Sequence, residues 1–359
     1  RPHAKAGLVC KEGLKLQAQA CNVNEGYYKV AFSFLTLLIK MTKQIEQALK
    51  QQNFDLATAL YLEWYESSPL DFNIEGSQPS RVKATHISNA ANLARRAGFN
   101  ELQFVKDISP RLGEMVKVLF GLAQPSFSNP LQRPNFVYIP ELTSKPFYDI
   151  QECEGLKSWI QTLQPFIDEL LDIGKVSKSK YVEEFENLPN LEEWNKLRDE
   201  WLSTHLIKGG EHSEVFKSLS EPLREVLERA PLAHCPPHAP EMFVSVLEPG
   251  AYIPPHYGIS NCKLTVHIPL KVTKHASLKA GDEIFKWENE QSAMIFDDSF
   301  LHSAKNESDE VRIVLIFDIW HPDLSSLEKE GLAKFMTKFA VWNNGVGKLA
   351  NLDAQLRRK

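Results

Sequence analysis

The sequence predicts an α+β protein, with an all-helical N-terminal region followed by an antiparallel β sandwich or barrel. Two observations carry this prediction. From about Lys29 to Leu122 apolar residues recur at three- and four-residue spacing, as one buried helix face requires. After Met242 the rhythm changes to apolar or β-branched runs of strand length, divided by turn chemistry. Between them, Pro125, Pro130, Pro134, Pro140 and Pro146 rule out a continuous helix and mark a boundary. The predicted organisation is a helical region over 1–125, a barrel domain over 126–325, and a C-terminal helix with a basic tail over 326–359.

The first helical signal lies in Gln44–Pro69. Ile45, Ala48 and Leu49, then Leu56, Ala59, Leu60 and Leu62, fall at helical spacing, and Asn53 and Asp55 interrupt the two halves. This reads as an antiparallel helix pair whose size and closing Pro69 resemble one tetratricopeptide-type repeat. A second pair is predicted over His86–Ala97 and Leu102–Leu122, broken at Gly98. Such helices either dock a protein partner or pack on the barrel as an extension. Further helices are predicted over Gly155–Leu171 and Glu192–Trp201. The strands read as MFVSVLEP, CKLTVHIPLKV, SAMIFDD and RIVLIFDIW, with PGAYIPP, KAGDE and KNESDE as the turns between them. Leu327–Phe339 returns to helix, and Arg357, Arg358 and Lys359 form a solvated end.

Composition narrows the function classes. A net charge of −5 and a pI near 6.2 supply no basic field to recruit nucleic acid. Cys10, Cys21, Cys153, Cys235 and Cys262 form an odd, scattered set without CxxC spacing, against both a zinc knuckle and a disulfide framework. A reducing cytoplasm fits such a set. The longest apolar run, Val30–Ile39, is short of the roughly 20 residues that span a bilayer, and reads as a buried helix rather than a transmembrane segment.

Eleven histidines make chance groupings easy, so the surroundings must discriminate. His256 follows two prolines at a strand mouth, and Gly258 two residues on is expected to leave open space beside it. His302 closes the acidic turn FDDSFLH, and His267 lies on a strand between them in sequence. Arg312 begins a strand otherwise made of Val, Ile, Leu and Phe. A guanidinium there must be paired, because an uncompensated buried charge is too costly.

The stretches EPGAYIPPHYGISNCKLTVHIPL, IFDDSFLH and VRIVLIFDIWHP, in that order and spacing, resemble the aspartyl/asparaginyl β-hydroxylase family. These are iron(II)- and 2-oxoglutarate-dependent dioxygenases on the double-stranded β-helix (jelly-roll, cupin-like) fold. The resemblance is specific over Pro231–Pro322, weaker back to Phe136, and does not usefully cover the N-terminal helices. It implies that His256 and His302 ligate iron(II). It also implies that Arg312, helped by Ser245, holds the distal carboxylate of 2-oxoglutarate, and that His267 contacts the carboxylate nearer the metal. Most enzymes of this chemistry use a His-x-Asp/Glu…His triad. The carboxylate position here is Gly258, as it is in the animal members of the family, where water completes the sphere. Asp297 and Asp298 fit the turn before His302, accepting backbone N–H bonds. One departure is Thr265, where the family carries an arginine that helps hold the cosubstrate; Lys263 on the same strand face is expected to compensate. Trp201 is expected on the substrate side or in the core. The alternative for Arg312 is an ion pair with Asp318 or Asp298.

The implied function is hydroxylation of an unactivated C–H, on an Asp or Asn residue in a peptide or on a related small substrate. The competing reading is a non-catalytic metal-binding barrel with a helical partner-docking module, favoured by Thr265 alone.

Overall fold

The computed structural model describes residues 39–74, 79–176, 179–181, 192–287 and 293–357. Of the apolar run Val30–Ile39 only Ile39 lies within these residues, and it is exposed; Cys10, Cys21, Arg358 and Lys359 lie outside them. Contacts divide the chain into two units, one running to Ala97 and resuming at Asn344, the other Gly98–Asn343. The divisions therefore fall elsewhere than 125/126 and 325/326. The helix after Pro110 and most of the last helix belong with the barrel.

In the first unit, helical residues 39–50 are followed by a helix at Phe54–Ser67. Asn53 caps the latter, its side chain accepting from Leu56 N at 3.1 Å. The buried face is Ala57, Thr58, Tyr61 and Trp64, whereas Leu56 is exposed. The face expected from Leu56, Ala59, Leu60 and Leu62 is thus out of phase. The aromatic rings, with their larger apolar area, take the inner side. The next helix runs unbroken over Arg81–Leu102. Gly98 does not end it. A Cβ at Gly98 would come within 2.6 Å of the Phe120 and Trp342 rings, so the glycine serves a close approach.

The second unit holds the barrel. A seven-stranded antiparallel sheet contains β1 (Ser179–Lys180), β2 (Trp201–Lys208), β3 (Glu211–His212), β4 (Met242–Leu247), β6 (Lys263–Lys271), β9 (Met294–Phe296) and β11 (Arg312–Trp320). Its order is β1-β2-β4-β11-β6-β9, with β3 on β2. A four-stranded sheet has the order β5-β10-β7-β8, from β5 (Tyr252–His256), β7 (Ala276–Ala280), β8 (Glu283–Lys286) and β10 (His302–Asn306). The two sheets enclose one apolar layer that includes Phe243, Leu247, Leu278, Trp287, Phe296, Phe300 and Ile316. The other face of the large sheet packs Val244, Val266, Leu315 and Phe317 against helices Leu156–Leu163, Ile167–Val176 and Glu221–Glu228. This is the double-stranded β-helix, and burial on both faces explains why β4, β6 and β11 read as nearly continuous apolar runs.

Several expected elements shift. The helix at Glu192 ends at Leu197, and Trp201 opens β2 instead. Pro165 divides Gly155–Leu171 into two helices joined by a 3-10 turn. Pro254 and Pro255, read as turn residues, lie within β5. They are tolerated because β5 is the edge strand of its sheet and pairs only with β10. The proline-rich stretch is a strap over the barrel: Gln132 bridges Phe300, Val137 bridges Ser260, and Phe147 bridges Phe296. The last helix, Ser326–Asn344, starts with a capping box in which Ser325 N donates to Glu328 Oε2 and Glu328 N to Ser325 Oγ. Arg111 holds Glu328 through two N–H···O contacts of 2.7 Å.

Candidate active site

The last residue of β5 and the first of β10 are register partners, and this pairing brings His256 and His302 together with ring centroids 4.1 Å apart. Each ring is anchored alike. His256 Nδ1 lies 2.8 Å from Pro254 O and His302 Nδ1 lies 2.9 Å from Phe300 O. A carbonyl only accepts, so both Nδ1 atoms carry the proton and both Nε2 lone pairs are left for a ligand. Burial lowers His256 to about 3, helped by His302, and lowers His302 to about 4. Two neutral imidazoles with fixed tautomers suit a divalent metal that must keep positions open. No cluster of three metal-ligating side chains occurs among the described residues.

The space beside Gly258 is not open. A Cβ there would meet Asp298 Cγ at 2.3 Å and both carboxylate oxygens at 2.5 Å, so the glycine makes room for Asp298. The two aspartates of the turn therefore divide their roles. Asp297 caps the turn as expected, accepting from Ser299 N at 2.9 Å and from Gln132 Nε2 at 2.8 Å. Asp298 faces the cavity, with Oδ1 buried and unpartnered.

The cavity, of about 410 Å³, lies between the sheets. On its wall, Arg312 opens β11 opposite Leu247 of β4, and Val314 pairs with Ser245. Strand alternation puts Arg312 and Ser245 on the same inward face. Arg312 is 1% exposed, and its Nε and Nη1 have no hydrogen-bond partner. Its guanidinium stands 5.7 Å from the Trp287 ring, and burial lowers its pKa to about 10. The expected alternative partners are engaged elsewhere: Lys263 Nζ lies 2.7 Å from Asp318 and 3.4 Å from Asp298. Burial alone would lower the Lys263 pKa, but the two carboxylates hold it well above its usual value. Lys263 is thus committed to carboxylates of the chain itself and is not placed to stand in for an arginine at Thr265.

His267, on β6 opposite Ile316, has an unpartnered buried Nδ1 and is kept neutral by burial and by the neighbouring Arg312. Its ring lies parallel to Trp287 with centroids 6.5 Å apart. Trp201 lines the cavity but also donates from Nε1 to Ser245 Oγ at 3.0 Å. It therefore orients Ser245 as well as forming part of the wall. Sequence reasoning placed Asp298 in the turn but not at the cavity, and missed His238 and Trp287. His238 sits among Pro236, Pro237 and Pro240, loop chemistry that marks no site in the sequence. It lines the cavity, lies 3.1 Å from Ser260 Oγ, and is lowered to about 4 by burial. Trp287 Nε1 and Ser203 Oγ are further buried atoms without partners. A lone tryptophan after a charged strand and a lone serine in β2 carry no sequence signal.

The cavity of this double-stranded β-helix thus brings together a neutral histidine pair and a buried guanidinium with unpartnered N–H groups. Residues 168–322 match the family model described as Aspartyl/Asparaginyl beta-hydroxylase. The match covers less than half of the chain, and it begins well before Pro231. The Aspartyl/asparaginyl beta-hydroxylase of Homo sapiens is 24% identical over 314 residues, covering 86% of this chain and 36% of that protein. That alignment reaches the N-terminal helices, beyond the span of the motifs. The Aspartate beta-hydroxylase domain-containing protein 2 of Mus musculus is 39% identical over 92 residues, 25% of this chain and 26% of that protein. The chain spans about a third of the length of the first of these relatives and about a quarter of the second. No helix among the described residues is long and apolar enough to cross a membrane.

Proposed function

We propose that this chain is an iron(II)- and 2-oxoglutarate-dependent hydroxylase that oxidises an unactivated C–H. Its substrate would be an Asp or Asn residue in a peptide or a related small molecule. The observation that carries the proposal is the pair of buried donors without acceptors, Arg312 Nε and Nη1, in the cavity that also holds the unpartnered His267 Nδ1 and the two neutral histidines. Buried polar groups are normally satisfied, and donors left open this way point to an anionic ligand.

His256 and His302 would hold the iron through Nε2, since both Nδ1 atoms are occupied by carbonyls. Arg312 and Ser245 would grip the distal carboxylate of 2-oxoglutarate, the guanidinium by two parallel N–H···O bonds, and His267 would donate to the nearer carboxylate. Trp201 fixes the Ser245 hydroxyl, so that its proton is free to point at the ligand. When bound, iron(II), 2-oxoglutarate and dioxygen supply the oxidation, which yields hydroxylated product, succinate and CO₂. The chain contributes a walled cavity, fixed imidazole tautomers and a single anion clamp. Calorimetric titration of 2-oxoglutarate into the iron(II)-loaded protein without oxygen tests the assignment. One site that is lost in Arg312→Ala supports it, and unchanged binding in that variant refutes it.

A further inference from the structure

Charge accounting in the cavity narrows what its substrate can be. Among the described residues, three cations line it, Lys208, Lys263 and Arg312, against three carboxylates, Glu241, Asp298 and Asp318. Lys263 is bracketed by two of those carboxylates, at 2.7 Å from Asp318 and 3.4 Å from Asp298. Lys208 is exposed, and its charge acts on Glu241, which also has His205 at 3.7 Å. That leaves Arg312 as the cavity cation with unpartnered N–H groups.

On the reading above, Arg312 belongs to the cosubstrate. The group facing the histidine pair from the FDDSFLH turn is Asp298, whose Oδ1 is an acceptor without a donor. Thr265, facing Asp318 on one neighbouring strand and Phe296 on the other, brings no charge. With iron(II), Arg312 and the 2-oxoglutarate dianion counted beside Lys263, Asp298 and Asp318, the charges cancel, so a second carboxylate entering here would be buried with no unmatched cation to meet it, and such burial is strongly disfavoured. An uncharged group that donates a hydrogen bond meets an open acceptor instead.

We infer that the substrate end of this cavity accepts an uncharged, hydrogen-bond-donating group, of which a carboxamide is the type, and rejects a carboxylate. The inference rests on the hydroxylase reading, narrows its Asp/Asn alternative to the amide, and identifies Thr265 as a specificity-determining residue. It places the discrimination in the absence of a second guanidinium and not in the size of the cavity.

The test uses the full chain loaded with iron(II) and saturated with N-oxalylglycine under nitrogen, so that the anion clamp is filled. N-acetyl-aspartate methylamide and its asparagine twin are then titrated by calorimetry into the wild type, Thr265→Arg and Thr265→Lys. Thermal midpoints confirm that the variants fold. The wild type is expected to show no saturable binding of the aspartate probe, while Thr265→Arg gains it by at least about tenfold, the value of a new charge-assisted pair. Thr265→Lys should gain less, because an ammonium offers no fork. Wild-type affinity for the aspartate probe equal to or above that for its twin overturns the inference. So does a folded pair of variants that gains nothing. Arg312→Ala separates the two levels: if it still binds N-oxalylglycine, the cosubstrate reading fails, whereas loss there with an unexpected aspartate result faults only the substrate inference.

Discussion

Replacing Arg312 by methionine should stabilise the ligand-free protein while abolishing its affinity for 2-oxoglutarate. The guanidinium is 1% exposed, and its Nε and Nη1 bond to nothing. Burial alone lowers its pKa from 12.5 to about 10. At about 1.4 kcal/mol per tenfold, burial disfavours the charge by about 3 kcal/mol. Methionine of similar length removes that burden and keeps much of the stem's packing on Trp287, so a net gain of about 1–3 kcal/mol is expected. Urea denaturation of metal-free protein reads the stability, and calorimetry reads 2-oxoglutarate binding. Arg312→Lys should bind the cosubstrate better than Arg312→Met but well below wild type, because an ammonium cannot form the bidentate pair. Destabilisation in Arg312→Met with binding intact would refute the reasoning and mark Arg312 as a structural ion-pair partner.

Four cavity histidines, the half-buried His238 and His256 and the buried His267 and His302, have pKa values below the 6.5 of an unfolded chain. Below pH 6.5 the unfolded state binds protons that the folded state refuses. Stability of the metal-free protein should therefore fall as pH drops from about 6.5 towards 4, by up to about 1.4 kcal/mol per pH unit for each histidine. A flat stability profile between pH 7 and 5 would contradict their burial as neutral rings. Gly258→Ala should cost about 1–3 kcal/mol and weaken iron binding, since its Cβ would displace the Asp298 carboxylate; denaturation and metal titration together check it. Trp201→Phe should raise the 2-oxoglutarate requirement several-fold by freeing the Ser245 hydroxyl, with iron affinity unchanged. Removing residues 1–125 should yield an unstable product, because it takes away Arg111 and exposes its partner Glu328; a soluble, cooperatively unfolding fragment would show that the helix after Pro110 is dispensable.

The barrel was legible because its signals are local. β4, β6 and β11 are buried on both faces and announce themselves as apolar runs, and the turns between them are rich in Gly, Asn and Asp. Boundaries set by tertiary packing were not legible. Gly98 looks like a helix breaker, yet its lack of a Cβ is used by Phe120 and Trp342, which are distant in sequence. Trp201 looks like the end of a helix, yet it pairs with Leu247 as a strand residue. At the site, His256, His302 and Arg312 stood out because a double proline, an acidic turn and an apolar strand single them out. Asp298 did not, because only register brings a turn carboxylate over a glycine forty residues away. The role of Lys263 was misjudged for the same reason. Strand alternation puts it on the correct face but does not reveal Asp318 beside it.

The central claim is that the histidine pair holds iron and the Arg312 pole holds 2-oxoglutarate in one cavity. Anaerobic titration of 2-oxoglutarate into the iron(II)-loaded protein, followed through the weak visible charge-transfer absorption of the iron–oxoacid chelate, tests both halves at once. The account predicts a saturable band that is absent in His256→Ala and needs far more 2-oxoglutarate in Arg312→Ala. Iron bound with no band at any 2-oxoglutarate concentration would contradict it, and would leave the barrel as a metal-binding module without this cosubstrate.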